Sequence, residues 1–399
     1  TPTTSWPGTC IAATDAPSDT AASDTAATDT APTDSSAPTD TAATDTTETD
    51  TTEAPDSGAG ADHSVAIPEE VGPADDSLDP VVIGVINMDE GTPSYPDVST
   101  GIDAAAALIN AELGGIQGRP VEIKHCSVGV DQASNQKCAQ EFANDDSLNL
   151  VINGYVFGSG YILPILEAAG LPTLLQTPLT QPDFTATYGW AFQGGNAGGT
   201  AGTAAYAAKF LDAQNIVIIG ADNDALRAAV QTIEALPSVE GRTISTTYVA
   251  DTAAAITADI QVSGALEADA ILSLVNAPQC LQVATTLKDV GVTAPVMSIA
   301  TCAVPSTLDA NADAFAGWTI VGSGLPPLLA EGDSVELDYY MEKYPQYGDE
   351  QFARSFLTLG GFGAMLAAQR IGNAAPETLS RDDWAAGLAG FTGPYFGGQ

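Results

Sequence analysis

The octapeptide Gly154-Tyr155-Val156-Phe157-Gly158-Ser159-Gly160-Tyr161 joins a short apolar run to a helix-like one. Glycines at such a junction let backbone N–H groups approach a bound molecule. The Ser159 hydroxyl adds a donor at the positive end of the helix, which suits a carboxylate or another oxygen-rich group. Gly158, Ser159, Gly160 and Tyr161 are therefore candidate ligand contacts, and an N-cap with a tight turn is the competing reading. Gln176-Thr177-Pro178-Leu179-Thr180 follows the next apolar run, with Pro178 and Thr180 as candidates against plain turn or capping chemistry. Further along, Asp222, Asn223 and Asp224 follow one apolar run, Asn276 and Gln279 another, and Thr301-Cys302 a third. Asp89, Glu90 and Tyr95 follow the first run, where a solvated acidic loop is the simpler account.

Catalytic constellations find little support. A Ser-His-Asp triad would have to use His125, because His63 lies in a low-complexity stretch, and no Gly-x-Ser-x-Gly elbow accompanies it. His125 reads as structural. No Gly-x-Gly-x-x-Gly and no Walker loop follows the leading strands, so nucleotide cofactors lose their main signature. The expectation is a non-enzyme without cofactor or metal. Zinc is disfavoured because the C-x2-C spacing is missing.

The elements that must position these loops alternate regularly. Val81–Ile86 is a continuous apolar run of the kind shown by strands buried on both faces, and Gly101–Leu113 has apolar residues at helical spacing, ended by Gly114-Gly115. Strands at Val121–Lys124, Leu150–Ile152 and Pro172–Leu175, with a helix at about Gly160–Ala169, continue the βαβ series. A second series starts at Asn215 with Ile216-Val217-Ile218-Ile219-Gly220, followed by a helix from about Asp224 to Leu236. Strands at Thr243–Val249, Ala270–Val275 and Pro295–Ile299 follow, with a helix at about Gln279–Val290 before the last. Two series predict an α/β chain of two doubly wound, Rossmann-like lobes. Trp318–Val321 and helices at Ser334–Tyr344 and Gln351–Gly372 complete the pattern, with Tyr339, Tyr340, Tyr344 and Tyr347 expected in packing.

Four of the five cysteines form two close pairs. Two bridges among five cysteines allow fifteen pairings, and local pattern favours Cys126 with Cys138 and Cys280 with Cys302. The first pair would close a strand-loop-helix turn, and the second would join loops at successive strand ends. Disulfides fit an exported protein.

Charge divides the chain. Of its 399 residues 51 are acidic and 11 basic, a net of −40; residues 1–80 hold 17 of the acidic and none of the basic ones. Repeats such as Ala26-Ala27-Thr28-Asp29-Thr30 lack the apolar residues needed to offset the roughly 1–2 kcal/mol per residue that ordering a backbone costs. Residues 1–79 are expected to form a disordered, self-repelling tether, and Cys10 just before its repeats is a candidate for lipidation. The chain begins with Thr, as a mature product or a fragment would. The remaining net of −23 repels phosphate backbones, which argues against nucleic-acid binding. The longest uncharged apolar stretch, Leu148–Leu166, is interrupted by Asn149, Asn153, Gly154, Gly158, Gly160 and Pro164 and does not read as a membrane span.

Several local sequences resemble the type I periplasmic solute-binding proteins, specifically the leucine/isoleucine/valine-binding family that feeds ABC importers. They are Ile83–Ile86, Gly101–Ala105, Ile109-Asn110-Ala111-Glu112-Leu113-Gly114-Gly115-Ile116-Gln117-Gly118-Arg119-Pro120-Val121-Glu122, Cys138–Phe142, Gly170–Pro172 and Thr180–Pro182. The resemblance runs from about Pro80 to the end and implies a two-lobed clamshell with a three-segment hinge. It would place a first lobe at 80–194, a second at 195–320, and a hinge return with C-terminal helices shared between lobes at 321–399. Hinge strands would lie at about Ala191–Gly194 and Trp318–Gly322, with a third crossing in the C-terminal helical region. The closing Gly393–Gln399 stands where the family usually continues with a short β segment, so an incomplete C-terminus is the expectation.

The resemblance also implies a carboxylate-binding serine loop at Ser159 and a second hydroxyl contact at Thr180. The sequence departs from the pattern twice. The family's Tyr-Gly reads Ala225-Leu226, and its ammonium-holding acid reads Thr301 or Cys302. Asp222 and Asp224 are the available substitutes, and an amide, urea or short organic acid suits the loops as well as an amino acid does. The implied partners are a small-molecule ligand and membrane ABC permease subunits. The protein is expected as an extracytoplasmic monomer, a receptor's ligand-sensing domain being the alternative.

Overall fold

The computed structural model describes residues 66–91, 93–250, 252–322, 324, 327 and 334–398. The Thr-Asp repeats, Cys10 and His63 lie outside the described residues. The first lobe alternates β1 (Val81–Asn87), α1 (Pro96–Ala111), β2 (Val121–Ser127), α2 (Gln132–Ala143), β3 (Leu148–Asn153), α3 (Ser159–Ala168), β4 (Thr173–Leu175), α4 (Gln181–Thr185) and β5 (Gly189–Ala191). Its strands form a parallel sheet in the order β2-β1-β3-β4-β5. The apolar runs of β1 and β3 are buried at all but one position each, as helices on both faces require.

The second lobe repeats the plan with α5 (Gly195–Lys209), β6 (Asn215–Ala221), α6 (Asp224–Glu234), β7 (Thr243–Val249), α7 (Ala253–Gln261), β8 (Ala270–Leu274), α8 (Ala277–Asp289), β9 (Val296–Ile299), α9 (Pro305–Asn311) and β10 (Thr319–Val321). Its parallel sheet runs β10-β9-β8-β6-β7. The two five-stranded parallel sheets are the two doubly wound α/β lobes that the two βαβ series predict. Both disulfides connect the favoured partners, Cys126 of β2 to Cys138 of α2 and Cys280 of α8 to Cys302 just past β9.

Further along lie α10 (Val335–Tyr347), α11 (Phe356–Ala374) and α12 (Arg381–Gly390). The sequence reading shares them between lobes, whereas their buried Tyr340, Tyr344, Phe362, Met365 and Trp384 join the core built on β1, β3 and α1 of the first lobe. Backbone proximity explains why α11 docks there. A Cβ on Gly101 of α1 would lie 2.0 Å from the Thr358 carbonyl, and one on Gly361 would lie 2.3 Å from that of Val98. Arg381 then fastens α12 by donating to the Leu148, Ala169 and Asp145 carbonyls.

Further features differ from expectation. Residues 66–79, assigned to the tether by composition, are attached to the first lobe: Val71 and Gly72 donate to the Glu112 carbonyl, and Lys343 bridges Glu70 and Glu112. Helix α1 starts earlier, at Pro96, because proline suits the first helical turn. Helix α11 starts later, at Phe356, where Ser355 caps Leu357 N–H. Helix α5 has no counterpart in the sequence reading, its glycines resembling breakers. They let it pack closely, Gly199 near Ile299 and Gly202 against Val321.

Candidate functional site

The carboxyl ends of both sheets open into one cavity of about 710 Å³, counting the part open to solvent. Ligands of open α/β sheets lie at such ends, where loops and helix starts converge. The first lobe contributes Tyr155 after β3, Gln176, Thr177 and Leu179 after β4, and Phe356, Leu359 and Gly360 from the first turns of α11. The second contributes Gly195, Asn196 and Gly199 from the start of α5, Ile299 at the end of β9 with Ala300 and Thr301 just after it, and Val321 of β10. Gln193, between β5 and α5, and Gly322, Gly324, Tyr395, Phe396 and Gly397 close the hinge side. There Gly324 and Gly398 pair as an isolated antiparallel bridge.

Local folding sets each wall. Gly195 adopts φ +53°, and a Cβ there would lie 2.1 Å from the Pro178 carbonyl; the adjacent Asn196 N–H donates to that same oxygen at 3.0 Å. The β4 loop and the start of α5 therefore touch backbone to backbone, which only glycine permits at that approach. Gln176 is buried, its side-chain oxygen accepts from Thr177, and its carbonyl accepts from the Gln193 amide. Burial raises the Tyr155 and Tyr395 phenols above the ordinary tyrosine value, so both remain neutral donors at any physiological pH. No Asp, Glu, Lys, Arg or His is among the described residues lining the cavity. Its polar inventory consists of amides, hydroxyls and backbone groups.

The candidate residues occupy several kinds of position. Thr301 lines the cavity and donates to the Val275 carbonyl at 3.3 Å. Pro178 is buried between two lining residues. Ser159 is fully buried, accepting from Asn153 at 3.1 Å and donating to the Val156 carbonyl at 3.2 Å. Gly158 is buried against Asn135, whereas Gly160 and Tyr161 are exposed at the start of α3. Thr180 forms a capping box with Asp183 at α4. Asn276 and Gln279 form another at α8, where Gln279 is buried. Asn223 caps α6 by accepting from Leu226 N–H, Asp224 is the first residue of that helix, and exposed Asp222 pairs with Arg227. Asp89 accepts from buried Asn87, Glu90 is exposed, and Tyr95 packs on Tyr155. His125 binds Asp103 at 2.8 Å, and Cys302 is held in its disulfide.

Sequence reasoning does not single out Tyr155, Gln193 or Asn196, nor Phe356 and Tyr395. Tyr155 stands inside the octapeptide, and an aromatic beside a strand-end glycine is its available signal. The others lie next to or within α5 and in the C-terminal segments, whose place cannot be read locally.

A family model described as periplasmic binding protein matches residues 80–398. The chain belongs to the periplasmic binding protein family. No curated protein matches the sequence. Among solved structures, the leucine-binding protein LivK of Thermotoga maritima is 17% identical, with TM-score 0.61 over 77% of this chain and 87% of that one. LivJ of Streptococcus pneumoniae, in complex with isoleucine, is 16% identical, with TM-score 0.65 over 80% and 91%. A solute-binding protein of Rhodopseudomonas palustris, in complex with p-hydroxybenzoic acid, is 18% identical, with TM-score 0.65 over 80% and 88%. At these identities the structures establish a shared fold.

Proposed function

We propose that this chain is the extracytoplasmic solute-binding protein of an ABC importer, closing on a small polar ligand and presenting it to the permease. The supporting observation is a single cavity lined by strand ends of both sheets and, at the hinge side, by Gln193, Gly322 and Tyr395. A ligand held there touches both lobes together, so it favours the closed form by its differential affinity for it. The family match supports the binding role, and the two disulfides suit an oxidising compartment. Among the described residues no helix is long and apolar enough to cross a membrane. In this reading Thr301 contacts ligand directly, while Gly160, Tyr161, Asp222 and Asn276 face it on closure, and Cys10 carries the anchoring lipid. The cargo classes are amino acids, amides, urea and short organic acids.

The test is a thermal-shift screen of the full chain against those classes, followed by small-angle scattering with any hit. A ligand at 100 times its Kd adds about 2.7 kcal/mol. A stabilising compound that shrinks the radius of gyration and is recovered unchanged supports the proposal. Recovery of a converted product, or stabilisation without compaction, overturns it.

A further inference from the structure

We propose that Gln193 and Tyr395 are positioning residues that set the interlobe angle from inside the cavity, because both line it and together they join two of the segments that pass between the lobes. The proposal deepens the solute-binding reading and rests on it. Residues 192–194 run from β5 of the first sheet to α5 of the second lobe. Residues 391–398 run from α12 of the first lobe to Gly398, which pairs with Gly324 past β10. The Gln193 side-chain amide donates to the Gln176 carbonyl at 2.5 Å and hydrogen-bonds the Tyr395 hydroxyl. That hydroxyl donates to the Gly360 carbonyl of α11 at 3.5 Å. Ring packing joins the same segments: Phe192 lies 5.9 Å from Tyr395 and 4.6 Å from Phe391.

Motion of two lobes about a hinge is absorbed by φ/ψ changes at a few residues of the segments that join them. The neighbours of Gln193 and Tyr395 are held at the backbone. Gly195 meets the Pro178 carbonyl, to which the Asn196 N–H donates. Phe396 is buried in the first lobe's core, and the Gly397 N–H donates to the buried Glu336 carboxylate. Turning one segment against the other therefore strains the hydrogen bond between the two side chains. Both side chains also present polar groups to the cavity, where a carboxamide and a phenol offer donors and acceptors. A ligand that hydrogen-bonds either one acts on the link itself.

The experiment measures lobe separation in the full chain, without ligand, by pulsed electron paramagnetic resonance. Nitroxides are carried on p-acetylphenylalanine at exposed Gln140 of α2 and exposed Glu234 of α6, a chemistry that leaves both disulfides intact. Gln193→Met removes the amide at similar side-chain length, and Tyr395→Phe removes the hydroxyl and keeps the ring. Each should shift the population ratio toward longer separations about fivefold, as loss of one hydrogen bond does. The double variant should go no further than the larger single one, because the two residues form one link. Asp145→Asn, before β3 at the end of the sheet away from the cavity, should leave the distribution as it was. Unchanged distances in both folded variants, additive shifts in the double variant, or an equal shift from Asp145→Asn would overturn the proposal. Repeating the measurement with L-isoleucine, propanamide, urea and propanoate separates the two readings. A probe that shortens the separation, and of which both variants need about fivefold more, supports the link. A probe that acts equally on all three proteins overturns it and leaves the solute-binding reading intact. Conversion of a probe would end that reading, and the ligand-free distances would still judge the link.

Discussion

In the first lobe the sheet β2-β1-β3-β4-β5 is backed by three helices drawn from the far end of the chain, and they bury Tyr340, Tyr344, Phe362 and Trp384 in its core. The second sheet, β10-β9-β8-β6-β7, has a core drawn from its own stretch of sequence, split into two clusters on its two sides. There the segment after β9, which carries Thr301 to the cavity, is tied by Cys280–Cys302 to the start of α8. Apolar burial from distant sequence supports one wall of the cleft, and a covalent link within one βαβ neighbourhood supports the other. The first wall therefore depends on the C-terminal helices being in place, and the second on redox state.

The largest effect should come from Trp384→Ala. Trp384 is fully buried in the first lobe's core, and removing a ring of that size costs about 3–5 kcal/mol. Denaturant unfolding followed by far-ultraviolet circular dichroism should show the loss. A change under about 1 kcal/mol would mean that the C-terminal helices do not support the lobe as described. Next comes Cys280→Ser with Cys302→Ser, which frees a 22-residue separation and should cost about 2–4 kcal/mol. Trp318, buried against Phe315 in the second lobe, reports that loss by fluorescence. Equal damage to both lobes would break the contrast between them.

The sequence showed this contrast unevenly. Strands such as Val81–Ile86 and Ile216–Gly220 were legible because burial on both faces demands unbroken apolar runs. The disulfides were legible because one pair closes a strand-loop-helix turn and the other joins segments at successive strand ends. Helix α5 was hidden, since Gly199 and Gly202 serve close packing on Ile299 and Val321 and look locally like breakers. With it went Asn196 as a lining residue. The engagement of Ser159 by Asn153 and Val156 was also invisible, because a hydroxyl at a helix start looks the same whether it faces a ligand or its own loop. Attachment of α10–α12 to the first lobe depends on contacts such as Gly101 with Thr358, far apart in sequence, which no local pattern announces.

The smallest effect concerns two surface pairs of the first lobe and separates them by sign. Lys124 and Ser147 hydrogen-bond Asp145 and hold its carboxyl at about 2, below the ordinary 3.8. The folded form thus binds this proton less readily than the unfolded chain. Its stabilisation is present above pH 3.8 and fades as pH falls toward 2. His125 behaves oppositely: hydrogen bonding to Asp103 raises it above the ordinary 6.5, so its stabilisation is present below pH 6.5 and is lost as pH rises through the folded value. Both pairs are partly exposed, so solvent screening limits each to about 1 kcal/mol or less. Denaturant midpoints from about pH 2 to 9 should show Asp145→Asn flattening the acid limb alone and His125→Gln flattening the neutral limb alone. If either variant altered both limbs, the two pairs would be coupled through β2, whose adjacent residues Lys124 and His125 carry them.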